Sequence, residues 1–156
     1  MNPVRSPWLL AFGVAAIVHL ILNAAAATPW DSITKCLLAP LLVAWVLSQN
    51  GPRLLVAALI FCFFGDLFLE IDGMFLPGMG AFALGHICFI TLFVQRGGWD
   101  RLKAQPLIVV ALAVVAVALL AWVWGGLESD LRGPVVVYAF LLASTAALAL
   151  ASDLRA

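Results

Sequence analysis

The side chains best able to do chemistry fall in the greasiest stretches of this chain. "FFGDLFLE", residues 63–70, closes an almost unbroken apolar run over residues 54–71 and carries Asp66 and Glu70. The two carboxylates are four residues apart and share one helix face, with Cys62 and Leu59 continuing the stripe. His86 lies in the next apolar run, His19 in the first, Lys35 near the start of the second and Tyr138 in the last. An ionised side chain at the centre of a membrane helix costs roughly 2.5–3.5 kcal/mol on insertion scales, so such residues need a use or a partner. A carboxyl group and an imidazole kept from bulk water are the parts of acid–base chemistry. Asp66 could hold and donate a proton, and His86 could accept one or orient water. No GxSxG elbow occurs, and Ser144 and Thr145 lie far along the last run from any base. Water attack therefore fits better than a covalent serine.

The elements that must position these groups follow from composition. The chain has 156 residues, 65% of them apolar and 10% charged. Soluble domains are roughly 45–50% apolar and about 25% charged, so this chain reads as a polytopic membrane protein. Six segments approach the roughly 20 apolar residues that a spanning helix needs: 7–27, 33–47, 54–71, 77–94, 106–124 and 134–151. The expectation is all-α, a single transmembrane helical domain over residues 1–156, because backbone polar groups in lipid must pair within the segment. "SQNGPR", "DGMFLPG" and "QRGGWDRLKAQP" punctuate the runs as connections. The first run has a basic start and small residues at its end, as a signal peptide does, but His19 and Asn23 interrupt it and it reads as the first helix.

Zero net charge leaves no basic footprint for nucleic acid. The three cysteines lack metal or redox spacing and read as small apolar fillers. No metal and no cofactor is implied. Gly80 and Gly85 in "PGMGAFALGH" predict close helix packing and no phosphate loop.

Counting Lys and Arg places Arg5, Arg53, Arg96, Arg101, Lys103 and Arg155 on one side and Lys35 and Arg132 on the other, which predicts cytoplasmic N- and C-termini. On that orientation Asp66 lies about 12 Å and Glu70 about 6 Å below the outer boundary, with His86 about 14 Å and His19 about 12 Å down. Lys35 and Tyr138 fall about 3 Å and 6 Å below the same boundary. The polar groups thus gather in the outer half, which leaves a relay across the inner half without a path. Plainer roles stay open for each. Asp66 could pair with Lys35 or a histidine and lock the helices together, Glu70 could snorkel to water, Lys35 could anchor at the interface, and each histidine could make one interhelical hydrogen bond.

"FFGDLFLE" followed by "GMFLPGMGAFALGHICFI" resembles the YhhN/lysoplasmalogenase family of multi-pass membrane proteins. "SITKCLLAPLLV" is similar to that family's Lys-then-Pro helix and "RGPVVVYAF" to its Pro-Val…Tyr helix, so the likeness covers most of residues 30–145. The resemblance implies an integral-membrane hydrolase of the lysoplasmalogen vinyl ether bond, giving a fatty aldehyde and a glycerophospho-alcohol. Its substrate is then a lysophospholipid or other ether lipid, and its place the bacterial inner membrane. Asp66 and His86 become the catalytic pair. Lys35 would meet the lipid phosphate, Glu70 would tune Asp66 or touch the headgroup, and Tyr138 would bond the glycerol or a water. The family has about eight helices with a later Ser-Asp motif, which Ser152 and Asp153 resemble. A six-helix chain is expected to be a shortened member, one completed as a homo-oligomer, or an incomplete one. Two other functions compete: a structural or assembly protein held by Asp/His pairs, and a proton-relay or transport protein.

Overall fold

The computed structural model describes residues 6–152; Arg5, Asp153 and Arg155, used above for orientation and for the terminal motif, lie outside the described residues. Among the described residues the chain is helical throughout, with no strand. The helices are α1 (Pro7–Ala24), α2 (Trp30–Ser48), α3 (Arg53–Leu69), α4 (Phe75–Gln95), α5 (Gly98–Lys103), α6 (Pro106–Val123) and α7 (Ser129–Ala151), with a 3₁₀ turn over Trp124–Gly126. Five of them, α1, α2, α4, α7 and α6 with its 3₁₀ turn, are long and apolar enough to cross a membrane. The protein is an all-α, multi-pass membrane protein, as its composition predicts.

α3 is the exception among the six expected spans. It has 17 residues, which is about 26 Å at 1.5 Å per residue against a hydrocarbon core of about 30 Å. It ends at Leu69 with Glu70 as its C-cap, so the pair of carboxylates occupies its last turn.

The element count also differs from six. The connection "QRGGWDRLKAQP" contains α5, a six-residue helix capped by Gly97 at φ 77°. Asp100 in its first turn and Arg101 and Lys103 in its last complement the helix dipole. A Cβ on Gly98 would lie 2.8 Å from the Phe93 carbonyl oxygen and 3.1 Å from that of Leu148, so only glycine lets α5 seat there. α7 starts five residues before Pro134, which sits inside the helix. That proline frees the carbonyl of Asp130, close to the helix start, where water can satisfy it.

The chain divides into two compact units, Met1–Gly85 and His86–Ala156, with α4 contributing to each. In the first, α1 packs on α2 and α2 on α3. The start of α4 meets α3 through glycines: a Cβ on Gly65 would press on the Phe82 ring at 2.6 Å, and one on Gly85 would lie 3.1 Å from the Ala58 carbonyl oxygen. In the second, α5 and α6 pack on α7 around Leu102, Ala147, Leu148 and Ala151, with Ile90 and Phe93 of α4 against them.

Only one of the two glycines singled out in the sequence is a contact: a Cβ on Gly80 would meet nothing within 4 Å. Gly85→Leu is therefore expected to destabilise the protein by about 1–3 kcal/mol, the usual penalty of overpacking. Gly80→Leu is expected to be neutral or mildly stabilising through helix propensity. Thermal unfolding of the two variants in the same detergent checks this; equal losses in both would contradict it.

Candidate active site

The first unit gathers charge at the facing ends of α2 and α3. Asp66 and Glu70 reach one side of α3 because they are one turn apart, and the start of α2 supplies the cation between them. Lys35 Nζ donates to Glu70 Oε1 at 3.0 Å and lies 3.8 Å from Asp66 Oδ1. The Ser32 hydroxyl, one turn before Lys35, lies on the Glu70 side of α2. Glu70 thus takes the short, charge-assisted bond, and Asp66 keeps the long contact. The three side chains stay 31% (Lys35), 21% (Asp66) and 31% (Glu70) exposed. The cluster is paired but not closed, so a polar molecule can reach it.

Two backbone features shape this corner. Pro40 lies within α2 without ending it, and its missing N–H leaves the Cys36 carbonyl, next to Lys35, without its helical donor. Gly65 precedes Asp66 and gives the Phe82 ring room against α3. The Gly-Asp pair therefore reads as a close contact followed by the polar group that the contact holds in place.

His19 of α1 belongs to the same unit. Its Nδ1 lies 3.1 Å from the Asp31 carbonyl oxygen and 3.3 Å from Thr34 Oγ1. A carbonyl only accepts, which assigns the ring proton to Nδ1 and leaves Nε2 as the acceptor of a neutral ring. Thr34 Oγ1 itself faces the carbonyls of Trp30 and Asp31 at 2.9 Å each. His19 thus ties α1 to the first turn of α2. The Asp31 carboxylate has Oδ1 buried with no hydrogen-bond partner among the described residues.

His86 and Tyr138 form a separate pair in the second unit. His86 Nε2 lies 3.4 Å from the Tyr138 hydroxyl, with the rings edge to face at 5.7 Å between centroids. His86 Nδ1 is buried without a partner among the described residues. Whichever tautomer the tyrosine selects, one ring nitrogen stays unsatisfied in the protein. Such a group costs about 1–3 kcal/mol and marks where a bound polar atom gains most.

Each candidate from the sequence is thus placed. Lys35, Asp66 and Glu70 come together, His19 joins them through α2, and His86 meets Tyr138. Sequence reasoning missed Asp31, Ser32 and Thr34. The available signal was spacing: Ser32 is three residues from Lys35, and Asp31 three from Thr34, so each pair shares a helix face.

Comparisons with known proteins identify the family of the chain. The model of the YhhN family matches residues 30–155. A lysoplasmalogenase of Mycobacterium bovis is 31% identical over 94% of this chain and 64% of its own length, and one of Mycobacterium tuberculosis matches equally. The human lysoplasmalogenase TMEM86B is 33% identical over 71% of this chain and 48% of its own length. The chain spans less than two thirds of the length of these relatives. No solved structure matches. The matched region contains Lys35, Asp66, Glu70, His86 and Tyr138, and on this evidence the chain belongs to the YhhN family.

Proposed function

We infer that this chain is an integral-membrane hydrolase of lysolipids that cleaves the vinyl ether bond of a lysoplasmalogen. The observation that carries this is the open Lys35–Asp66–Glu70 cluster in a chain whose relatives are lysoplasmalogenases. The chemistry suits these groups. Asp66 gives its proton to the outer carbon of the vinyl ether, which leaves an oxocarbenium ion at the carbon bearing oxygen. Water adds there and gives up a proton that restores the Asp66 carboxyl, and the hemiacetal collapses to a fatty aldehyde and a glycerophospho-alcohol. One water is consumed and nothing is oxidised. Lys35 and Glu70 are assigned to the headgroup, with Ser32 steadying Glu70. His86 is assigned to water, because its Nδ1 is unsatisfied while Tyr138 holds the other nitrogen.

Aldehyde release from a lysoplasmalogen by the purified protein in detergent is the test. The parent releases aldehyde. His86→Ala loses about 10²-fold in rate with its fold intact, within the usual range for a general acid–base group. A folded parent that releases no aldehyde overturns the hydrolase reading. One observation favours a structural role instead: Lys35 ties α2 to α3 through two ion pairs. On that reading, loss of any cluster residue lowers thermal stability and leaves no catalytic deficit in the molecules that stay folded.

A further inference from the structure

We propose that His19 is a positioning residue for the hydrolase site: from α1 it holds the first turn of α2 and so sets where Lys35 stands for the lipid headgroup. The proposal rests on the hydrolase reading, in which Lys35 is assigned to that headgroup. The match to the family begins at residue 30, so α1 lies ahead of it and the role follows from this chain's own geometry. The turn that carries Lys35 is poorly held by its own helix. Its start has no side-chain cap, because the N-cap residue is Pro29, which has no polar side chain to offer. Five residues after Lys35, Pro40 has no N–H to give, so the Cys36 carbonyl loses its helical donor. Residues 30–36 therefore have an uncapped end on one side and a missing bond on the other. A helix start of this kind frays unless something outside the helix holds it.

His19 supplies that hold. Its Nδ1 donates to the Asp31 carbonyl oxygen at 3.1 Å and lies 3.3 Å from Thr34 Oγ1. In an α-helix the carbonyl of residue 31 also accepts the backbone N–H of residue 35. A carbonyl oxygen has two lone pairs, and the imidazole and the Lys35 amide fill them. The Thr34 hydroxyl has one proton, which then goes to the Trp30 carbonyl at 2.9 Å and leaves its oxygen to face the imidazole. His19 thus closes the turn from outside, one hydrogen bond away from the Lys35 backbone. On the far end of the same residue, Lys35 Nζ reaches Glu70 Oε1 at 3.0 Å. α1 and α3 both pack on α2, so Lys35 is held through its backbone from α1 and through its ammonium from α3. The hydrogen bonds of His19 go to α2 and not to the carboxylates. Its loss shifts the cation and spares the acid, which predicts an effect on binding and not on the proton transfer.

Aldehyde release by the full chain in detergent, resolved into KM and kcat for a lysoplasmalogen, tests this. His19→Leu removes the donor and should raise KM about three- to tenfold, which is what one hydrogen bond is worth, with kcat near the parental value. His19→Asn should restore KM, because asparagine Nδ2 sits where imidazole Nδ1 does. His19→Gln should not, because its amide lies one carbon further out, and it decides the question where His19→Leu fails to fold. Asn23→Leu, one turn along α1, removes an exposed polar side chain and should change neither constant. A parental KM in folded His19→Leu or His19→Gln overturns the proposal, and so does an equal rise in Asn23→Leu or in His19→Asn. A second readout needs no activity. Glu70→Gln should lower the unfolding temperature of the parent, and should lower that of His19→Gln by less than half as much, because the lysine is already displaced. Additive shifts overturn the proposal. A folded parent that shows this coupling but releases no aldehyde overturns the hydrolase reading alone, and the hold of His19 on Lys35 stands.

Discussion

Asp66→Asn is expected to lower aldehyde release by about 10²-fold or more at unchanged thermal stability, because it removes the proton donor and little else. Asparagine keeps the size and shape of the side chain, and the contact it gives up is the weak one. Lys35 lies 3.8 Å from Asp66 but 3.0 Å from Glu70, so its main partner survives the substitution. A loss of 10² is about 2.7 kcal/mol of transition-state stabilisation, more than an exposed ion pair at that distance is worth. Rate and stability therefore separate. Glu70→Gln is the control on the same helix face. It weakens the short bond to Lys35 and should raise KM more than it lowers kcat, since Glu70 is assigned to the headgroup and not to the proton. If Asp66→Asn retains parental activity on every vinyl ether and ester lysolipid tried, Asp66 is not the acid.

How much of this was legible beforehand differs by residue. The helices were legible because lipid leaves the backbone no choice, and hydropathy reports that directly. The shared face of Asp66 and Glu70 was legible because four-residue spacing is a property of one helix. Which of the two carboxylates holds Lys35 closely was not. That depends on the stagger of α2 against α3 and on where a long, flexible side chain settles, and neither leaves a trace in spacing. The same limit hid Ser32, whose hydroxyl at a helix start looks like a cap, whereas the N-cap position is held by Pro29. α5 was missed because six residues after a pair of glycines carry too little periodicity to register, and its seat depends on Gly98 meeting the carbonyl of Leu148, fifty residues later. Gly80 and Gly85 look alike in sequence and differ only in what lies opposite them.

Lys35→Met is expected to be the most destabilising single change at the site. It leaves Asp66 and Glu70 one turn apart with no cation between them. Breaking a fully buried pair costs about 3–5 kcal/mol and breaking an exposed one close to nothing. With the three side chains between a fifth and a third exposed, about 1–2 kcal/mol is the reasonable expectation. Adding Glu70→Gln should recover most of that loss, since the repulsion between like charges goes with it, and the double-mutant cycle measures the coupling. Activity then separates the two roles of the lysine. If Lys35 only holds α2 to α3, the double variant regains stability and the KM of Glu70→Gln alone. If Lys35 also meets the lipid headgroup, stability returns while KM stays several-fold above that of Glu70→Gln, because methionine supplies no cation for the phosphate. Lys35→Arg keeps the charge and should hold KM near the parental value. The ion pairs that favour a structural role thus yield the measurement that separates it from catalysis.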